Sequence, residues 1–216
     1  MRRGGLWLGM ALALGAVACT HERFGPVEQH YVDFGVQPPR RASVSVCHSY
    51  GCRQQTRFTF KPGDIAEIAR LMARTRKADT PHEERRAIAY AVGWMETRVG
   101  NAIGTKDDRP GMDFAASGDP TQQDCVDEAT NTTSYLLVLH NQGLLKHHTV
   151  GTPFAKENYL RGVAGWTHWT AVLKEPGNGQ RWAVDSWIEG NGENPAIVEA
   201  ERWYISSLAE LPKSAE

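Results

Sequence analysis

The sequence predicts an α+β fold in which helices pack on an antiparallel sheet. Two segments, 41–60 and 165–188, each contain two alternating apolar runs joined by a turn, which is typical of β-hairpins. Three other segments, 64–77, 81–98 and 125–142, carry apolar residues at helical spacing. The 216 residues suffice for one sizeable domain.

Composition narrows the class of protein further. With 41% hydrophobic and 23% charged residues, the chain is neither disordered, collagen-like nor a polytopic membrane protein. The formal net charge of −1 supplies no long-range attraction for a polyanion. We therefore expect no nucleic-acid partner.

The N-terminus has the pattern of a secretory signal. Arg2 and Arg3 precede the apolar run LWLGMALALGAVA, which ends in small residues directly before Cys19. The run is shorter than the roughly 20 apolar residues of a spanning helix. A buried N-terminal helix is the alternative interpretation. Residues 16–18 fit an A-x-A signal peptidase site, but the segment also resembles a bacterial lipobox, which implies lipidation of Cys19. We favour lipidation because Cys19 otherwise has no assigned role.

We expect a signal peptide over 1–18, a lipidated Cys19 with a tether or strap over 19–41, and the functional domain over 42–216. Gly25, Pro26 and little apolar periodicity mark the tether. By resemblance to the bacterial sorting rule, Thr20 in place of aspartate implies the outer membrane. The predicted location is the periplasmic side of the cell envelope, with the membrane reached through the lipid anchor.

Residues 41–60 predict a hairpin closed by a disulfide. Val44 and Val46 alternate on the first strand, and Cys47 and Cys52 flank the four-residue turn 48–51, across which they would face each other. In an oxidising compartment such a pair forms a disulfide. A metal site is the alternative, but no two further ligands have suitable spacing. We expect neither a metal nor another cofactor.

Two helices should follow this hairpin. The segment 64–77 is amphipathic and begins at Asp64, a residue type that caps helices. The segment 81–98 has Pro81 in its first turn. Its apolar face is formed by Ile88, Ala91, Val92 and Met95.

The remaining thiol, Cys125, is predicted at the start of a helix. Residues 105–123 are rich in Gly, Pro and Asp, which is typical of a loop, and helical spacing begins after them. Asp124 is the expected N-cap and Gly143 the expected stop. A helix start favours a thiolate, whereas Asp127 and Glu128 oppose it. A small buried hydrophobic residue is the alternative role of Cys125.

The segment 165–188 predicts an antiparallel hairpin that brings His168 and Asp185 together. With Pro176-Gly177 at the centre of the turn, His168 faces Asp185 directly; with Gly177-Asn178, Asp185 is a diagonal neighbour on the same face. A three-residue loop would move the carboxylate to the opposite face. Residues 198–205 predict one more strand, with Trp203 in the core.

Cys125, His168 and Asp185 form a candidate catalytic triad. Acyl transfer through a thiol needs a nucleophile, a base beside it, and a third group that fixes the tautomer of the base. These residues occur in that order on a helix start and two adjacent strands. A lone histidine is more often structural, but the thiol and the acid favour a catalytic role for His168.

The pattern resembles the transglutaminase-like, papain-type cysteine hydrolases, most closely the bacterial transglutaminase-like cysteine proteinases. Their motif Gly-Asp-Cys-x-Asp-Tyr-Ala corresponds to residues 123–129, where aspartate, cysteine, aspartate and alanine match and Gln123 and Glu128 differ. The His-Ala-Val-Leu strand of the family appears as His168 to Leu173 with an insertion, and its Asp-Asn ending as Asp185-Ser186. The resemblance spans about residues 85–190 and implies a papain/transglutaminase-like core.

The expected function is therefore an exported cysteine hydrolase or acyltransferase that acts on peptide or isopeptide amides through a thioester acyl-enzyme. The Cys125 N–H, with Gln122 or Gln123, would form an oxyanion hole. Trp166 either walls the cleft or packs in the core. Two alternatives stand: a catalytically silent lipoprotein that binds a cell-envelope partner, and a papain-like peptidase that acts on cell-wall peptides.

Overall fold

The computed structural model describes residues 25–156 and 167–211 as an α+β fold with antiparallel sheets. The helices are α1 (Glu28–Asp33), α2 (Pro62–Thr75), α3 (Pro81–Ile103), α4 (Cys125–Asn141) and α5 (Ala200–Ile205). The strands are β1 (Ser43–His48), β2 (Gln54–Thr59), β3 (Thr149–Lys156), β4 (His168–Glu175), β5 (Gln180–Asp185) and β6 (Ala196–Glu199). Within these described residues, each helix is too short or too polar to cross a membrane.

Two antiparallel sheets flank the central helix α4. Strands β1 and β2 form one sheet, and β3-β4-β5-β6 form the other, each strand beside its neighbour in sequence. Helix α4 packs against β1 on one side and β4 on the other. The core between them is apolar and fully buried, and it includes Val44, Ile68, Ile88, Met95, Leu136, Leu139 and Leu173. This packing brings the start of α4 to the strand ends of both sheets.

The first hairpin contains the predicted disulfide, but with a different turn. Cys47 and Cys52 are joined, which confirms the pairing. The prediction that Cys52 faces Cys47 across the ladder is wrong, because His48 pairs with Gln54 and Cys47 with Gln55. Cys52 lies within the turn instead, in the left-handed region at φ 55°. The disulfide therefore closes the turn rather than joining opposite strand residues.

Helices α2 and α3 form where predicted, with different ends. Pro62 is the first residue of α2, so Asp64 is not its N-cap but its third residue. From there the Asp64 carboxylate accepts the backbone N–H of Lys61, the N-cap residue, over a distance of 2.8 Å. Helix α3 continues five residues beyond the predicted end, because Val99 and Gly100 are still buried, and stops at Gly104 with φ 95°.

The second hairpin has the register in which Asp185 is a diagonal neighbour of His168. Val172 faces Ala183 and Ala171 faces Val184. The strand expected over 198–205 is largely wrong: β6 ends at Glu199, and the chain turns into α5. Trp203 on α5 is fully buried, as predicted for a core residue.

Residues 25–41, expected as a tether or strap, contain α1 and pack on α4. The Tyr31 hydroxyl lies 2.9 Å from Ser134 Oγ, and His30 Nε2 lies 2.8 Å from Thr130 Oγ1. His30 and Tyr31 are both buried. In the described part of the chain this segment is a strap along α4; Cys19 and Thr20 lie outside the described residues.

Gly93 on α3 marks a close approach of two backbones. A Cβ there would lie 2.9 Å from the carbonyl oxygens of Gly192 and Glu193, which belong to the backbone. We expect Gly93→Ala to lower the free energy of unfolding by about 1–3 kcal/mol, measured by urea denaturation. Gly63→Ala is the matched control, because nothing lies within 4 Å of a Cβ at Gly63. Equal stability of the two variants would contradict the close packing of this loop on α3.

Candidate functional site

Cys125 is the first residue of α4 and lies in a capped helical turn. Asp124 Oδ1 accepts the backbone N–H groups of Val126 at 3.1 Å and Asp127 at 2.9 Å, as predicted for an N-cap. The Asp127 carboxylate accepts the Asp124 N–H in return, at 3.2 Å. The Cys125 thiol is 4% exposed, and its Sγ lies 3.6 Å from the carbonyl oxygen of Thr167. The thiol therefore lies directly beside the residue that precedes His168.

His168 and Asp185 are hydrogen-bonded to each other within the same buried region. His168 opens β4 and Asp185 closes β5, and the distance from His168 Nε2 to Asp185 Oδ2 is 2.7 Å. Because an ionised carboxylate only accepts, a neutral imidazole bonded in this way carries its proton on Nε2 and has Nδ1 as an acceptor. His168 Nδ1 is buried and has no hydrogen-bond partner within the described residues. This geometry is the one in which a neutral imidazole can accept a proton at Nδ1 while Asp185 binds Nε2.

The environment of the thiol keeps it protonated. Burial raises the pKa of Cys125 to about 12, and the carboxylates of Asp124, Asp185 and Asp127 act in the same direction. The backbone N–H of Trp169 opposes this rise. Burial and the nearby acids, which raise the pKa of the thiol, therefore outweigh the field of the helix start, which lowers it. The surroundings favour a neutral resting thiol that donates to the Thr167 carbonyl. Within the described residues no hydrogen bond joins this thiol to His168, whose Nδ1 has no partner.

Residues 49–52 form a left-handed loop that binds the acids at the start of α4. Their φ angles are 74°, 69°, 66° and 55°. In this conformation successive N–H groups point to one side: Tyr50 donates to Asp127 Oδ2 at 2.8 Å, Gly51 to Asp124 Oδ2 at 3.0 Å and Cys52 to Asp127 Oδ1 at 2.6 Å. Left-handed residues other than glycine are costly. These hydrogen bonds and the disulfide hold the left-handed loop against that cost.

Two amide side chains, one on α4 and one just before it, bind the end of strand β1 at Cys47. Asn131 accepts the Cys47 N–H at 2.7 Å and donates to the Cys47 carbonyl at 2.8 Å. Gln123 Nε2 also donates to that carbonyl, at 2.9 Å. Gln122 Nε2 donates to the Asp107 carbonyl at 3.1 Å. Both glutamines proposed as oxyanion donors are thus engaged with the backbone, while Trp166 lies outside the described residues.

A set of buried acids is linked to the triad region through Ser186, and the sequence analysis did not predict their burial. Burial raises the pKa of Glu96 to about 8, that of Asp108 to about 7 and that of Glu128 well above its usual range. The Ser186 hydroxyl, next to Asp185, lies 2.9 Å from Glu128 Oε2. Glu96 follows Met95 on the buried side of α3, and an acid so placed in an apolar stripe was the available signal.

Among the described residues, one group of three ligating side chains has its atoms close together: Cys47, Cys52 and Asp127. The two sulfurs are bonded to each other, so they do not bind a metal while the disulfide is intact. The Asp127 oxygens accept three backbone N–H groups. This group is therefore a structural junction between the left-handed loop and α4.

Comparisons of the chain with models of protein families, with curated proteins and with solved structures find no match.

Proposed function

We propose that this chain is an exported cysteine hydrolase or acyltransferase that acts on peptide or isopeptide amides. The observation that carries the proposal is the 2.7 Å bond from His168 Nε2 to Asp185 Oδ2, together with the helix-start thiol of Cys125, whose Sγ lies 3.6 Å from the carbonyl oxygen of Thr167, the residue before His168. Nucleophile, base and orienting acid are all buried and come from three neighbouring elements. This is the set of groups that thiol acyl transfer requires.

In the proposed reaction His168 Nδ1 takes the thiol proton as Cys125 Sγ attacks the amide carbonyl carbon. The oxyanion that forms is stabilised by the Cys125 N–H, which has no acceptor within the first turn of α4. The imidazolium then gives its proton to the leaving amine, and a thioester remains. Water then attacks the thioester carbonyl in hydrolysis, and a second amine attacks it in transamidation. In either case His168 removes the proton of the attacking group, the C–S bond breaks, and the imidazolium returns its proton to the Cys125 thiolate.

The order of the elements supports the resemblance to the transglutaminase-like, papain-type hydrolases. The helix with Cys125 comes first, and the two antiparallel strands with His168 and Asp185 follow. We extend the proposal to a papain/transglutaminase-like core on this basis. The Cys47–Cys52 disulfide supports an oxidising compartment, and with it export, lipidation of Cys19 and a place in the cell envelope. The proposed partners are protein, peptide or cell-wall peptide substrates.

One observation favours the second candidate, a catalytically silent lipoprotein that binds a partner in the cell envelope. The thiol is 4% exposed, and its pKa of about 12 leaves it neutral at physiological pH. A silent protein would retain such a thiol as a small apolar side chain. The two candidates differ in one property, which is whether the thiol reacts in a manner that depends on His168.

A substrate screen tests the proposal. The purified protein and its Cys125→Ala variant are incubated with a proteome-derived peptide library and, separately, with purified cell wall, and the products are identified by mass spectrometry. Cleaved peptides indicate hydrolysis, peptide–amine adducts indicate transamidation, and soluble cell-wall fragments indicate a cell-wall peptidase. Each product should vanish in Cys125→Ala while near-UV circular dichroism stays unchanged. Products that persist in Cys125→Ala would contradict the mechanism.

A further inference from the structure

Asp185 is bound by two N–H donors on one oxygen. Its Oδ2 accepts from His168 Nε2 at 2.7 Å and from Trp203 Nε1, also at 2.7 Å. Its other oxygen, Oδ1, is buried and has no hydrogen-bond partner in the described part of the chain. The carboxylate therefore meets both donors with the same atom, which is the atom that orients the base.

The indole of Trp203 is held rigidly in this position. Trp203 lies on α5 and is fully buried, and its ring packs edge-on against Phe154 at 5.2 Å. Lys156 Nζ lies 4.3 Å from the centre of the indole and donates to the carbonyl oxygens of Trp203 and Ser206. Lys156 also pairs with His168 in the β3–β4 ladder. The same strand register thus places the base and anchors the helix that carries the indole.

Trp187 provides a natural comparison. Its ring lies 4.6 Å from the His168 ring, and that of Trp203 lies 5.2 Å from it, so both indoles pack on the imidazole. The Trp187 Nε1 atom is buried without a hydrogen-bond partner among the described residues. Packing alone therefore does not require an indole N–H at Asp185. The hydrogen bond distinguishes Trp203 from its neighbour.

We infer that Trp203 is a positioning residue, whose indole N–H holds Asp185 Oδ2 on His168 Nε2. This inference rests on the proposed function for its catalytic consequence. A carboxylate with a single donor can rotate about its terminal torsion and exchange its two oxygens, whereas a second donor on Oδ2 removes that freedom. Trp203 touches neither substrate nor nucleophile in this role. It acts through Asp185 on the orientation of the imidazole.

The test compares Trp203→Phe with Trp187→Phe. Each variant retains an aromatic ring beside His168, but the first also removes the donor to Asp185. The rate of Cys125 alkylation by chloroacetamide is followed from pH 5 to pH 11 by intact-protein mass spectrometry, with peptide mapping of the label. Trp203→Phe should react about ten-fold more slowly at pH 7, as expected for the loss of one hydrogen bond to a charged group, and its profile should move to higher pH. Trp187→Phe should keep the shape of the original profile.

A second readout does not depend on the chemistry of the thiol. In protein labelled with ¹⁵N-histidine, the proton on His168 Nε2 should give a downfield, slowly exchanging signal, which is assigned by its absence in His168→Gln. Trp203→Phe should broaden or lose that signal, and Trp187→Phe should retain it. If Trp203→Phe does not fold, the indole N–H signal of Trp203 is followed in Asp185→Leu instead. It should move upfield there, while the signals of Trp182 and Trp187 stay in place.

The outcomes separate this inference from the proposed function. An unchanged His168 signal in folded Trp203→Phe, or an unmoved Trp203 indole signal in Asp185→Leu, would overturn the positioning role. Loss of the His168 signal together with slower alkylation supports both proposals. A third outcome is loss of the His168 signal in Trp203→Phe, while the original protein and a His168 variant are alkylated at the same rate. That outcome supports the positioning of Asp185 by Trp203 and overturns the proposed thiol chemistry.

Discussion

Replacing His168 by alanine is expected to lower the rate of Cys125 alkylation at pH 7 by about a hundred-fold or more. The thiol is buried and neutral, with a pKa of about 12, so a neutral electrophile meets almost no thiolate unless the neighbouring base removes the proton. Without the imidazole, the rate should rise only in strongly alkaline solution. Intact-protein mass spectrometry with chloroacetamide, from pH 5 to pH 11, measures both profiles.

His140→Ala is the matched control, because this histidine lies exposed near the end of α4, far along the helix from Cys125. It should react as the original protein does. Asp185→Ala should be alkylated at pH 7 at a rate between those of the original protein and His168→Ala, since the base remains but loses its orienting partner. Identical alkaline profiles for the original protein and His168→Ala would contradict an activated nucleophile and favour the silent envelope protein.

The melting temperature should fall by on the order of 10 °C between pH 5 and pH 8. Burial raises the pKa values of Glu96 and Asp127 to about 8, that of Asp108 to about 7 and that of Glu128 well above its usual range. In the unfolded chain these acids ionise near pH 4. Between the unfolded pKa near 4 and the folded pKa values near 7 and 8, the folded state binds more protons than the unfolded state. The free energy of unfolding therefore decreases as pH rises through this range.

Glu96→Gln tests this directly. The substituted side chain cannot ionise, so the dependence of melting temperature on pH should become shallower and the protein should melt higher at pH 8. Glu28→Gln, at an exposed position, is the control and should leave the slope unchanged. Hydrogen bonds lower the pKa values of the surface carboxyls Asp64, Glu83 and Asp113. These groups therefore change the stability of the protein only below pH 5, outside the range from pH 5 to pH 8. A melting temperature that rises from pH 5 to pH 8 would mean that the buried acids are ionised in the folded protein.

Local signals were sufficient to predict most elements of the fold. Asp124 before a helical stripe marked the start of α4, and the five-residue separation of Cys47 and Cys52 marked a disulfide. The signals failed where tertiary contacts set the boundary. Residues 198–205 were expected as a strand, but 200–205 form a helix, in which the Trp203 indole donates to the buried Asp185. Helix α3 runs on because distant residues cover its C-terminal part.

The candidate site was predictable in its residues and not in its surroundings. Alternation placed His168 and Asp185 on one face of a hairpin, and the register found is one of the two that bring them together. Their chemical roles remain predictions. The burial of the Cys125 thiol, the second donor on Asp185 and the acids Glu96 and Glu128 depend on residues far apart in the chain. Periodicity within one segment contains no information about such contacts.

The left-handed loop also couples two distant parts of the chain. Its disulfide joins residues five apart in sequence, whereas the carboxylates that accept its N–H groups come 73 to 77 positions later. The loop and the start of α4 therefore stabilise each other. A covalent bond that closes only five residues thus also helps to fix the position of a thiol far along the sequence.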